Sequence, residues 1–87
     1  MTYSLDIQEK VYRTFKKLEK KNKKQLGVIN KKIKRVLENP EHYKPLKGDM
    51  KGSRRVHIDK SFVLVYEIDY ENKVVRLLDY DHHDNIY

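Results

Sequence analysis

Three groups of residues carry functional groups suited to chemistry on a phosphate ester. The first centres on His57, within Arg54-Arg55-Val56-His57-Ile58, where polar and apolar side chains alternate. A period of two puts His57 on the polar side of a strand whose other side is core. Neighbouring cations hold a phosphate and lower an imidazole's pKa toward that of a useful base. The second group is the loop Tyr43-Lys44-Pro45-Leu46-Lys47-Gly48, continuing to Lys51-Gly52. Basic residues beside a tyrosine in a glycine-bearing loop suit contact with a backbone phosphate and a stacked base. The loop lacks the Gly-Lys-Ser/Thr ending of a triphosphate cradle. The third group, Asp79-Tyr80-Asp81-His82-His83-Asp84, has the composition of a metal cluster. Adjacent residues of an extended chain point to opposite sides, so His82 and His83 do not converge on one ion. No metal or cofactor is expected. Cysteine is absent, which excludes a thiol nucleophile and a Cys-type zinc site.

These residues need elements to position them. Ile7, Val11, Phe15 and Leu18 recur at spacings of four, four and three, one face of a helix. Lys10, Lys17, Lys20 and Lys21 occupy the opposite face. After a turn near Asn22, Leu26, Ile29, Ile33, Val36 and Leu37 repeat the pattern until Asn39-Pro40 ends it, because a residue before proline avoids the α region. The two amphipathic segments form an αα-hairpin. A short strand within Thr2–Asp6 precedes them. Residues 40–53 have no periodicity and read as loop. Strands follow around Val56–Ile58, over Phe62–Ile68, and over Val74–Leu78 after a turn at Glu71-Asn72. Asp79 to Tyr87 reads as a polar tail.

Helices followed by a run of strands indicate an α+β fold. The order is β-α-α-β-β-β, with the helical hairpin packed on one face of a small antiparallel sheet of about four strands. Val11, Phe15, Leu18, Ile29, Ile33, Val56, Leu64, Tyr66 and Leu78 are the expected core. Arg55, His57 and Asp59 face the opposite, half-open side.

The 87 residues are expected to form one domain, with 20 Lys+Arg against 13 Asp+Glu for a net charge of +7. Residues 1–39 hold 12 basic and 4 acidic side chains, whereas residues 61–87 hold 2 basic and 6 acidic. A domain polarised in this way is a candidate for binding a polyanion on its basic side. A secreted domain of this size would ordinarily need disulfides, so a cytoplasmic location is expected. The N-terminal residues contain no apolar core of a signal peptide, no apolar run reaches membrane-spanning length, and no membrane partner is expected.

The order of these pieces resembles the RelE/ParE superfamily, the toxins of type II toxin–antitoxin pairs. The resemblance rests on the lysine-rich helical hairpin, Asn39-Pro40, Pro45-Leu46-Lys47-Gly48, Lys51-Gly52, Arg54, His57 and the strand Leu64-Val65-Tyr66. It is nearest to the YafQ type, where Pro-Leu-x-Gly-x-x-x-Gly-x-Arg-x-x-His precedes an aromatic-led strand and His-x-x-Leu/Ile-aromatic follows. Here the last piece reads His83-Asp84-Asn85-Ile86-Tyr87. The resemblance implies an endoribonuclease that cuts mRNA in the ribosomal A site without a metal and inhibits translation. It also implies a tightly bound RelB/DinJ-like antitoxin. The working positions carried over are Lys44, His57, His83 and Tyr87, with Arg54, Arg55, Lys47 and Lys51 as phosphate-binding cations. Lys44 stands where the YafQ type has His, Ser61 where it has an acidic residue, and Val63 where the RelE branch has Arg. Two alternatives accompany this reading, a non-catalytic ParE-like gyrase inhibitor and a basic RNA-binding domain without nuclease activity.

Overall fold

The computed structural model describes residues 2–45 and 52–86. Strand β1 (Ser4–Ile7) leads through Gln8 into helix α1 (Glu9–Lys21), and helix α2 spans Lys23–Glu38. Asn22 alone separates the helices. Its backbone N–H closes α1 on Leu18 O at 2.8 Å, and its side chain accepts the Gln25 N–H at 3.0 Å to cap α2. Val11 and Phe15 of α1 and Ile29, Ile33 and Val36 of α2 are buried against the sheet, while Leu18 packs at the margin, half-buried. Asn39 ends α2 and Pro40–His42 makes one 3₁₀ turn.

The sheet is completed by β2 (Ser53–Ile58), β3 (Phe62–Asp69) and β4 (Val74–His82), in the order β1-β4-β3-β2. Strands β2, β3 and β4 form an antiparallel meander, but β1 runs parallel to β4. The sheet is therefore mixed, not antiparallel throughout. Hairpin turns force neighbours to reverse, whereas β1 reaches β4 across two helices and the whole meander, a connection long enough to permit parallel pairing.

Two further expectations change at β4. The segment read as a polar tail pairs with β3 as far as Phe62↔His82 and then turns into one short helix, α3 (His83–Ile86). Val65 lies opposite Asp79 but Tyr66 lies opposite Leu77, so Leu78 is an extra residue, a β-bulge. The bulge resets the alternation, and both Leu77 and Tyr80 pack into the helix-covered core. Leu78 instead sits half-buried with Val63, Val65 and Ile86 in a second, smaller cluster.

The principal core otherwise follows the expected phase. Val56, Leu64 and Tyr66 are buried under the helices, and His57 is exposed. Two polar ties are buried with it. Gln25 Nε2 donates to the Tyr80 hydroxyl at 2.5 Å, and the Tyr66 hydroxyl donates to Pro40 O at 2.5 Å. Burial pushes the Tyr80 phenol up to about 12 and raises that of Tyr66 further. Among the described residues no helix is long and apolar enough to cross a membrane.

Candidate active site

Along β2 the side chains alternate between faces, so Val56 and Ile58 enter the core while His57 stands exposed. Just before β2 in space, the segment after the 3₁₀ turn returns beside it. Pro45 bridges to Arg54, and the Arg55 N–H donates to Lys44 O at 3.2 Å. This return forms an open cleft of about 350 Å³ at the β2 edge, lined by Lys32, Tyr43, Lys44, Arg55, Val56 and His57. Three lysine and arginine side chains and one imidazole thus share a wall with a tyrosine ring, a composition suited to a phosphate and a base.

The second imidazole arrives from the other end of the sheet. The extension of β4 to His82 carries the chain alongside the start of β3, where the His83 N–H donates to Ser61 O at 2.6 Å. Ile86, one turn on, packs over Val63 and Val65 and holds α3 on the sheet. Asp81 Oδ1 accepts the Asn85 side-chain amide at 3.1 Å and the His82 N–H at 2.7 Å. These bonds hold the Asp81 carboxyl below its usual range. The result is that the His57 and His83 rings lie 5.9 Å apart, tilted by 57°. His82, adjacent in sequence, goes elsewhere and packs edge-on against Phe62 at 5.6 Å. No group of three or more metal-ligating side chains occurs among the described residues.

The expected site residues therefore divide. His57, His83, Lys44 and Arg55 come together around the β2 edge. Arg54 does not join them, because the alternation that exposes His57 sends its neighbour-but-two to the helix side. Its guanidinium donates to Tyr43 O at 2.7 Å and Glu41 O at 3.4 Å. Lys47, Lys51 and Tyr87 lie outside the described residues. One cation of the cleft, Lys32, was not anticipated. Its signal is helical, since Val28 and Val36 stand four residues to either side and set it beside the apolar stripe, unlike the outward-facing Lys31 and Lys34.

Residues 5–87 match the family described as the ParE-like toxin of the type II bacterial toxin–antitoxin system. The chain belongs to this toxin family. The toxin is 47% identical over 85 residues to a protein of Methanocaldococcus jannaschii named "Putative toxin RelE4", with 98% of this chain and 90% of that one covered. It is 55% identical to an uncharacterized protein of Methanosarcina mazei, covering 98% and 99% of the two chains. Its fold matches a chain of the intact Escherichia coli RelBE toxin–antitoxin complex with a TM-score of 0.75 and 25% identity, over 90% of the toxin and 93% of that chain. The α+β architecture with two helices on a four-stranded mixed sheet is thus that of RelE-like toxins.

Proposed function

We propose that the toxin, as one domain over residues 1–87, is a metal-independent endoribonuclease that cleaves mRNA in the ribosomal A site and so inhibits translation. The observation that carries this reading is the approach of His57 and His83 to 5.9 Å beside a cationic cleft. RNA cleavage without a metal needs a base for the 2′-hydroxyl, cations for the phosphorane and an acid for the departing 5′-oxygen. His57 or Lys44 takes the 2′-hydroxyl proton, and the 2′-oxygen attacks phosphorus. Lys32, Lys44 and Arg55 stabilise the added negative charge. Protonated His83 delivers a proton to the 5′-oxygen as its bond to phosphorus breaks, leaving a 2′,3′-cyclic phosphate. Tyr87 stacks on a base of the codon, and Lys47 and Lys51 add phosphate contacts, as the likeness to YafQ-type toxins suggests. The lysines on the outer helix faces grip ribosomal RNA through phosphate charge.

A cognate RelB-like antitoxin silences the toxin in the resting cell. Support comes from the match to a chain of the E. coli RelBE complex. A second reading, gyrase inhibition, is favoured by the ParE-like description of the family. An inhibitor of that kind needs no acid–base pair. The deciding experiment induces the toxin in a host lacking the antitoxin and maps mRNA ends by primer extension, alongside a supercoiling assay. New ends within codons of translated messages are expected. Intact messages with altered supercoiling would replace the nuclease with the gyrase reading.

A further inference from the structure

Arg54 is a cation directly beside the proposed active site that does not face it. It stands opposite Tyr66 in the β2–β3 ladder, on the helix side of the sheet. Its guanidinium donates to two backbone carbonyls of one segment, Tyr43 O at 2.7 Å and Glu41 O at 3.4 Å. The same segment is tied at its start by the Tyr66 hydroxyl on Pro40 O and at its end by the Arg55 N–H on Lys44 O. Residues 40–45 have one 3₁₀ turn, Pro40–His42, and no long strand of their own to fix them. Among the described residues these ties, together with the Pro45–Arg54 bridge, hold the Lys44 backbone against β2, and Arg54 supplies the middle one.

We propose that Arg54 is a positioning residue that acts through Lys44, setting that side chain at the mouth of the cleft without touching RNA. The inference rests on the nuclease reading for its effect on rate, but the placement of residues 41–45 by Arg54 is independent of it. A planar guanidinium suits the task because the two N–H groups of Nη1 are fixed in its plane and meet two acceptors at once. Misplacing a charged group by about 1 Å costs on the order of 100-fold in rate when that group acts on the reacting centre. A partial slackening of the segment is expected to cost roughly tenfold.

The test uses Arg54→Met, which keeps the apolar stem packed near Tyr66 and removes the donors. Amide hydrogen exchange is measured at Arg55, whose N–H reports the Lys44 tie. Faster exchange there than in the wild type, with the core amides of β3 unchanged, is expected. Affinity for a single-stranded RNA oligonucleotide is measured against salt. A residue touching phosphate would lower the slope by about 0.7 per contact when removed, whereas a positioning residue leaves it unchanged. Cleavage is compared in the single variants and in Arg54→Met/Lys44→Ala. The Arg54 substitution is expected to add little once Lys44 is gone, because the two act as a unit. Unchanged exchange at Arg55, a reduced salt slope or multiplicative losses in the double variant would each overturn the proposal. If Arg54→Met does not fold, Arg54→Lys retains the charge, and faster Arg55 exchange supports the proposal while wild-type exchange refutes it. If the wild type cuts no RNA, the nuclease reading fails, and the exchange measurement still decides what Arg54 holds.

Discussion

The two faces of one sheet are built to different ends. The helix-covered face buries Val56, Ile58, Leu64, Tyr66, Val75, Leu77 and Tyr80 under two helices and satisfies its two phenols with Gln25 and Pro40 O. On the opposite face the apolar cluster among the described residues is a strip, Val63 and Val65, under Leu78 and the single turn of α3, with charge around it. At the β2 end stand Arg55, His57 and His83. At the β1 end Arg76 reaches Asp6 at 3.0 Å, Glu67 at 2.9 Å and Asp69 at 3.8 Å. The first face makes the protein stable, and the second exposes the groups proposed to act on RNA. A small domain with a thin core separates these tasks by strand alternation, since each residue of β2 or β3 serves one face only.

The largest expected effect is on the open face. His57→Ala and His83→Ala are each expected to lower mRNA cleavage by about 10²–10⁴-fold, the usual cost of a lost acid or base. Both side chains are exposed, so stability should move by only about 0.5 kcal/mol. Primer extension on a reporter message, with circular dichroism for the fold, measures both. Wild-type cleavage by the double variant would remove the acid–base assignment and leave Lys44 and Arg55 as the candidates.

The covered face should show the reverse. Leu64 is fully buried, and Leu64→Ala is expected to cost about 2–5 kcal/mol of stability through lost transfer energy and an unfilled cavity. Cleavage per folded molecule should remain at the wild-type level. Urea unfolding combined with single-turnover cleavage separates the two quantities. A rate loss that persists in the folded fraction would mean that the two faces are mechanically coupled.

How legible this division was depends on which residue is considered. The helices and the phase of β2 follow from spacing alone, because Val11, Phe15, Ile29, Ile33, Val56 and Leu64 obey one local period each. His57 was legible for the same reason. The parallel pairing of β1 was not, since nothing local to Ser4–Ile7 encodes the direction of a partner seventy residues away. Neither was the bulge at Leu78, which brings Tyr80 rather than Asp79 to the core face after Leu77 and is visible only in the register with β3. The His57–His83 approach depends on that long-range pairing too, as β4 must run on to His82 before α3 can turn back. Arg54 is a different case. It and Arg55 both flank the His57 motif as cations, yet a period of two already assigns them to opposite faces.

Tyr80 offers a finer probe of the covered face. Burial raises its folded-state pKa to about 12, above the ordinary phenol value near 10. The neutral phenol is the form that the fold prefers. Its contribution is therefore fully present below about pH 10 and is lost as pH rises through 12, and Tyr66 acts in the same direction. Alkaline unfolding followed by circular dichroism should begin between those values, earlier than ionisation of buried phenols in a rigid protein would permit without unfolding. Tyr80→Phe should remove part of that alkaline dependence while leaving the Gln25 amide without its partner, at a cost of about 1–3 kcal/mol near neutrality. An alkaline transition unchanged in the Tyr80→Phe, Tyr66→Phe double variant would show that other groups govern it.

The smallest effect belongs to neither face of the sheet but to the outer side of the helices. Lys16 is well exposed and lies 3.4 Å from Glu19 in an i,i+3 pair. Such a pair on a solvated helix contributes at most a few tenths of a kcal/mol, so Lys16→Ala should leave stability within about 0.5 kcal/mol of the wild type. If the outer lysines hold ribosomal RNA, removing one cation should weaken ribosome binding most at low salt. The slope of log K against log salt should fall by about 0.7–0.9, the value of one phosphate contact. The carboxylate of Glu19, left without its cation, adds to the repulsion from RNA phosphates and makes the low-salt loss larger than charge removal alone. The rate of cleavage at saturating ribosome concentration should not change, because Lys16 lies on α1 and takes no part in lining the cleft. An unchanged salt slope would move the ribosome-binding surface away from α1, and a slower saturated rate would tie the outer helix face to the chemistry at His57.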